Sequence, residues 1–172
     1  MKHASINSEN MLDVKLLIAS LNQKFSISLE QELDNALIGN NPYSFEGNAK
    51  LDATVCYNGS DIELVGSITV PMKFLCSRCG APFKQNLFIE VGETIKDNVN
   101  DGEHFVANCD LINFGDIIRQ LVALNMPSSV LCKEDCKGIC PVCGKNKNED
   151  NCSCQAFGGA NNPFSCLKDK FN

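Results

Sequence analysis

A chain of 172 residues with 44% hydrophobic and 21% charged residues is long enough to bury a core and has the balance of an ordinary globular protein. No apolar run approaches the roughly 20 residues that a membrane-spanning helix needs. A formal net charge of -6 excludes a protein that grips nucleic acid over its whole surface, because that mode of binding needs a basic face. Asp13 and Lys15 interrupt the first apolar stretch and make residues 1–25 a poor secretory leader, so the expected location is the cytoplasm, with no membrane partner.

Residues 11–22 place Val14, Leu17, Ile18 and Leu21 at helical spacing, a pattern that equally suits irregular structure. From Lys24 the period changes to two. Phe25, Ile27 and Leu29 alternate with polar residues, and Leu51, Ala53 and Val55 repeat the pattern, as half-buried strands do. Asn58-Gly59 predicts a tight hairpin turn with positive φ at both central residues. Ile62, Leu64, Ile68, Val70, Met72 and Phe74 continue beyond it on even positions, with Pro71 marking an edge or a break. Cys76 and Cys79 fall at the turn of a second hairpin, whose return strand carries Phe83, Leu87, Ile89 and Val91. The stretch "NDGEHFVANC" reads as a polar loop. Phe114, Ile117, Ile118, Leu121 and Val122 then give a helix over about 114–125, with Asn113 as its cap, Asp116 three residues on, and Pro127 beyond its end. After the cysteine-rich stretch and the linker "FGGANN", Pro163, Phe164, Leu167 and Phe171 suit a short closing helix.

The expected fold is therefore α+β and mainly antiparallel β. A hairpin or open-barrel body covers 11–127, and a cysteine-rich metal-binding segment covers 128–172, packed on the body as one domain.

Eleven cysteines cannot form a complete set of disulfides, and cytosolic thiols with short spacings bind metal more often than they pair. Eight of them form close pairs: Cys76/Cys79, Cys132/Cys136, Cys140/Cys143 and Cys152/Cys154. Eight thiolates make two tetrahedral sites, and Gly80 supplies the tight geometry that a CxxCG turn needs to aim two sulfurs at one ion. Two zinc ions are expected, with iron as the alternative in the same four-sulfur geometry. A redox dithiol is the weaker reading of "CSRC" and "CPVC", since the strand-to-helix context is missing. A catalytic metal would need an open position and ligands such as histidine, and only His3 and His104 are present. Cys56, Cys109 and Cys166 stand apart as surface or packing thiols.

Chain closure suggests how the ligands are shared. Cys140, Cys143, Cys152 and Cys154 can close a site through a short loop, leaving Cys132 and Cys136, on one side of a helical turn, to reach back to Cys76 and Cys79. The rival arrangement joins the two similar turns, Cys76/Cys79 with Cys140/Cys143. Arg78, Lys133, Lys137, Lys145 and Lys147 lie beside the thiolates. They balance the charge of the sites or form a local RNA-contacting patch.

Taken in order, "CSRCGAPF" after a β-rich half, "INFGDIIRQLVALNMP", "LCKEDCKGICPVCG", a CxC and "NPFSCLKDKF" resemble the YceD family of large ribosomal RNA subunit accumulation proteins. The resemblance runs from about Met11 to the end. Gln120 stands where the family usually has glutamate, and Met126-Pro127 where it has Leu-Pro. It implies a bacterial or plastid factor for processing or accumulation of large-subunit ribosomal RNA, with no established catalytic residue and with the motif cysteines as metal ligands. The expected partner is that RNA or an assembly intermediate, with a ribosomal protein as a further candidate. An adaptor that touches RNA only through a protein partner is the alternative. Because the family-like "MLDVKLL" begins at Met11, residues 1–10 are expected to be a disordered extension or a mis-assigned start.

Overall fold

The computed structural model describes residues 2–3, 10–39, 43–97, 105–107 and 111–154. Along the chain lie β1 (Lys2–His3), β2 (Met11–Asp13), α1 (Val14–Ile18), β3 (Lys24–Gln31), a 3-10 turn (Asn35–Ile38), β4 (Ser44–Phe45) and β5 (Ala49–Tyr57). They are followed by β6 (Ile62–Leu75), β7 (Pro82–Asp97), β8 (Phe105–Ala107), β9 (Leu111–Asn113) and α2 (Phe114–Leu124). His104, Cys109, the "FGGANN" linker and the expected closing helix lie outside the described residues, as does the side chain of His3.

Most of these strands form one seven-stranded sheet in the order β1-β3-β5-β6-β7-β8, with β4 also paired to β6. The β3–β5, β5–β6 and β4–β6 ladders are antiparallel, so the expected α+β class rich in antiparallel sheet is what the chain adopts. Period-two alternation produces it. Ile27, Leu29, Leu51, Ala53, Val55, Ile62, Leu64, Ile68, Val70, Met72 and Phe74 are all buried while their neighbours face outward. Gly66 occupies the one inward position of β6 with no side chain, opposite Ala53. A Cβ there would lie 2.3 Å from the Asp52 carbonyl oxygen, so the close approach of the two strands requires glycine.

Several local expectations need correction. The loop after β5 holds four residues, because Tyr57 pairs with Ile62, and only Gly59 has positive φ (105°). The Asn58 side chain closes it by accepting from the backbone N–H of Ser60 (3.1 Å) and Asp61 (2.9 Å), which the two-residue turn would not need. Pro71 does not break β6. It falls between the ladder with β5, which ends at Thr69, and the ladder with β4, which begins at Met72, where its missing N–H costs no pairing. Phe105–Ala107, expected as loop, runs parallel to Ile95–Asp97. Lys2–His3 likewise run parallel to Phe25–Ser26, within a stretch expected to be disordered.

A second, two-stranded sheet pairs β2 with β9, setting Leu12 opposite Ile112, both buried. Each of these strands leads into a capped helix. Asp13 accepts from the Lys15 N–H (2.8 Å) to start α1, and Asn113 accepts from the Asp116 N–H (3.2 Å) to start α2. Helix α2 buries Phe114, Ile117, Ile118, Leu121 and Val122 on one face, as its spacing predicts. Helix α1 is shorter than the apolar pattern, and Ile18 and Leu21 are exposed. Among the described residues no helix is long and apolar enough to cross a membrane.

The chain divides into two compact units, one of Met1–Phe74 with Lys84–Ser128, the other of Leu75–Phe83 with Ser129–Asn172. The first holds the sheet and both helices. The second holds the tip between β6 and β7 together with the cysteine-rich stretch, and so all eight paired cysteines.

Candidate metal centre

Two turns of the same construction begin the second unit's chemistry. In the first, the Cys76 N–H donates to the Ala81 carbonyl (2.9 Å), the Gly80 N–H to the Cys76 carbonyl (2.8 Å), and Gly80 has φ 71°. In the second, Cys140 donates to Lys145 (2.8 Å), Gly144 to Cys140 (2.9 Å), and Gly144 has φ 71°. A left-handed glycine after the second cysteine lets each turn close while both sulfurs face one point.

The eight sulfurs fall into two groups, Cys76/Cys79/Cys132/Cys136 and Cys140/Cys143/Cys152/Cys154, each with its sulfurs within 4.8 Å of one another. This is the grouping that chain closure suggests, and the rival grouping of the two similar turns does not occur. The Cys76–Cys136 and Cys79–Cys132 sulfurs are 3.7 and 3.8 Å apart. A metal–sulfur bond of about 2.3 Å makes the edge of a thiolate tetrahedron about 3.8 Å, whereas a disulfide would need about 2.05 Å. The spacing therefore fits a four-coordinate ion.

The first tetrad is assembled from distant parts of the chain. Ser77 donates its N–H to the Val130 carbonyl (2.8 Å) and accepts at Oγ from the Val130 N–H (3.0 Å), which brings the Cys132 segment to the turn. Cys132 and Cys136 do not lie on a helical turn as expected. One bond, from the Cys136 N–H to the Lys133 carbonyl (3.2 Å), closes an ordinary turn that directs both sulfurs inward. Cys76 and Cys136 are buried, Cys79 and Cys132 half-buried. The second tetrad lies within a 15-residue stretch and leaves Cys143 and Cys154 exposed.

The electrostatics of both groups show why a cation fits. Burial would raise Cys76, yet the backbone amides of Cys132, Cys79 and Arg78 hold it at about 6, against an ordinary 9.0. The amides of Cys143 and Val142 bring Cys140 to about 6 as well. Cys132 is pushed up to about 12 by burial and by the thiols of Cys76, Cys136 and Cys79. The Cys143 thiol, burial and the charge on its neighbours push Cys154 up to about 12. Four sulfurs this close cannot all ionise alone. Within each tetrad some take the charge and others keep their protons, a conflict that a divalent cation removes by binding all four as thiolates.

Around the first tetrad, Arg78 Nη1 donates to the Cys136 carbonyl (3.2 Å) and the Ile139 N–H donates to the Arg78 carbonyl (3.1 Å). Asn148 Nδ2 donates to Cys136 Sγ (3.4 Å), and its Oδ1 accepts from the Lys137 N–H (2.9 Å). Asn148 is invisible to spacing arguments, because an asparagine in a polar loop has no pattern that marks it. Of the five cations singled out, Arg78 is held on that carbonyl and Lys133 lies 3.9 Å from Asp135. Lys137, Lys145 and Lys147 make no ion pair among the described residues. Cys56 is a half-buried free thiol on β5, outside both groups.

Comparison with known proteins agrees with the cysteine pattern. The family model "Large ribosomal RNA subunit accumulation protein YceD" matches residues 64–169, a stretch that contains all eight grouped cysteines. Among curated proteins, the chain is similar to Large ribosomal RNA subunit accumulation protein YCED homolog 1, chloroplastic, of Arabidopsis thaliana. The two are 25% identical over 126 residues, covering 54% of this chain and 39% of the relative, so the chain spans about two fifths of that protein's length. No solved structure matches. With a family match across more than half its length and both cysteine tetrads inside that match, this chain belongs to the YceD family of large ribosomal RNA subunit accumulation proteins.

Proposed function

We propose that this protein is a non-enzymatic ribosome-biogenesis factor, needed in the bacterial cytoplasm for processing or accumulation of 23S ribosomal RNA. In this reading an antiparallel body, curved as an open barrel, carries a unit pinned by two structural zinc ions. Cys76, Cys79, Cys132 and Cys136 hold one ion, and Cys140, Cys143, Cys152 and Cys154 hold the other. The observation that carries the reading is the family match over residues 64–169. The tetrahedral sulfur spacing supports a four-coordinate structural ion such as zinc or iron, and the all-thiolate donor set leaves no open position for a metal-activated water.

RNA contact falls to Lys137, Lys145 and Lys147, supported by Arg78 and Lys133, as a local patch on a chain of net negative charge. Depletion of the protein should leave large-subunit RNA scarce or unprocessed while small-subunit RNA is less affected. Unchanged ribosome profiles under several growth conditions would refute the reading. One observation favours the adaptor alternative: Glu134 and Asp135 lie between Lys133 and Lys137, and Glu149 and Asp150 follow Lys147, so acidic residues flank those cations. Crosslinking in cells followed by sequencing of bound RNA separates the two. Direct crosslinks to large-subunit RNA at the lysine-bearing segment support RNA contact, and protein-only crosslinks support the adaptor.

A further inference from the structure

We infer that Asn148 is a positioning residue for the first metal centre, fixing the Cys136 sulfur from the loop that closes the second. The inference rests on the reading that both tetrads hold metal, and it adds a dependence between them.

The geometry around this amide is fully specified. Nδ2 donates to Cys136 Sγ at 3.4 Å, Oδ1 accepts from the Lys137 N–H at 2.9 Å, and Asn146 Oδ1 accepts from both Asn148 Nδ2 (2.7 Å) and the Asn148 N–H (3.1 Å). Asn148 thus grips the residue after Cys136 with its oxygen and the sulfur of Cys136 with its nitrogen. Both bonds fix one ligand. Outer contacts of this kind orient a metal-bound sulfur and tune its basicity, and their loss typically costs about ten- to hundred-fold in metal affinity.

Asn148 also belongs to the arm that shapes the second tetrad. Between Cys143 and Cys152 the chain turns back so that the Lys147 N–H reaches the Gly138 carbonyl (2.9 Å) and Asn146 bridges to Ile139. When Cys152 and Cys154 join Cys140 and Cys143 on one ion, that arm is closed at both ends and Asn148 is held over Cys136. An ion in the second centre therefore raises the affinity of the first, and linkage makes the effect reciprocal. Without its arm closed, the first tetrad keeps four ligands but loses the clamp on one of them.

The test uses the full chain loaded with cadmium-113, which gives a separate resonance for each centre, assigned by the signal that Cys154→Ser removes. Competition against a chelator then gives an affinity for each. Asn148→Asp keeps the shape and an oxygen for the Lys137 N–H but removes the donor to sulfur. It should weaken the first centre about ten- to hundred-fold and shift its resonance, with the second centre weakened less, by no more than the coupling between the two. Asn148→Ala should weaken the first centre at least as much. In the Cys154→Ser chain, the first centre should be weaker than in the parent. An unchanged first-centre affinity and resonance in Asn148→Asp would overturn the inference. Equal weakening of both centres would also overturn it, since that marks a general loss of loop structure. Parent protein that takes up no cadmium overturns the metal reading itself, and with it this inference.

Discussion

Cys76 and Cys140 occupy equivalent places in two turns with the same hydrogen bonds and the same glycine geometry, yet their surroundings differ. The first turn completes its tetrad with sulfurs 53 and 60 residues further along, and half of that tetrad is buried. The second completes its own nine positions further along, from Cys143 to Cys152, and half of it is exposed. Closing the longer loop costs about 1.5 kcal/mol more in chain entropy, since the cost rises as about (3/2)RT ln n. One local device thus serves two ends: at long range it is a staple across the chain, at short range a fold of its own. The repeated motif tells what binds, and the sequence distance to its partners tells what the binding holds together.

The sharpest break of this comparison is removal of one sulfur from each centre. Cys76→Ser should release one ion and destabilise the whole second unit, while Cys140→Ser should release one ion and disturb mainly the loop around it. The Cys76→Ser chain should have the lower melting temperature, because its tetrad joins segments 53 and 60 residues apart. Elemental analysis and calorimetry decide this, and coincident melting curves would abolish the distinction between staple and local fold.

Proton release compares the two centres chemically. At pH 7 Cys79, Cys132, Cys152 and Cys154, all raised above the ordinary 9.0, hold their protons. Zinc added to metal-free protein in weak buffer should therefore displace at least two protons per ion. Below pH 6 Cys76 and Cys140 also become protonated, so affinity should fall more steeply with acidification. A yield below one proton per ion at neutral pH would contradict this assignment.

Alkylation sharpens the contrast in exposure. In metal-free protein the exposed Cys143 should be labelled before Cys132, which is half-buried and keeps its proton, as read by peptide mass spectrometry. The reverse order would place the buried tetrad at the surface. The smallest expected effect tests what the centres share. Gly80→Ala and Gly144→Ala meet no atom within 4 Å, so each should cost only the left-handed backbone penalty of about 1 kcal/mol. Unequal losses of metal affinity would show that the two turns are not energetically alike.

Features that repeat along the chain are legible in the residues themselves. Alternation marks the buried faces of β3, β5 and β6, and the cap at Asn113 starts α2 where the apolar spacing begins. The cysteine grouping is the one that loop lengths favour, and the sulfur positions agree with it. Features that depend on partners far apart, or on single polar atoms, leave no such mark. Leu12 and Ile112 pair across most of the chain, and three-residue strands carry too little periodicity to announce themselves. Cys132 and Cys136 suggest a helix because their separation matches one, but a turn satisfies the same separation when the sulfurs have a common target. Leu21 matches a helical stripe, but α1 stops at Ile18 and leaves it in solvent.

Pro71 has a consequence for how this sheet resists unwanted assembly. A strand of 14 residues flanked along one edge by two separate shorter strands offers a gap, and gaps in a ladder are places where a foreign strand can add. At this gap the proline has no N–H to offer, and its carbonyl already accepts from the Glu46 N–H at 2.9 Å. The position that could template aggregation thus has neither a donor nor a free acceptor for a single-bond match, and a non-proline residue there would restore the donor to an intruding chain.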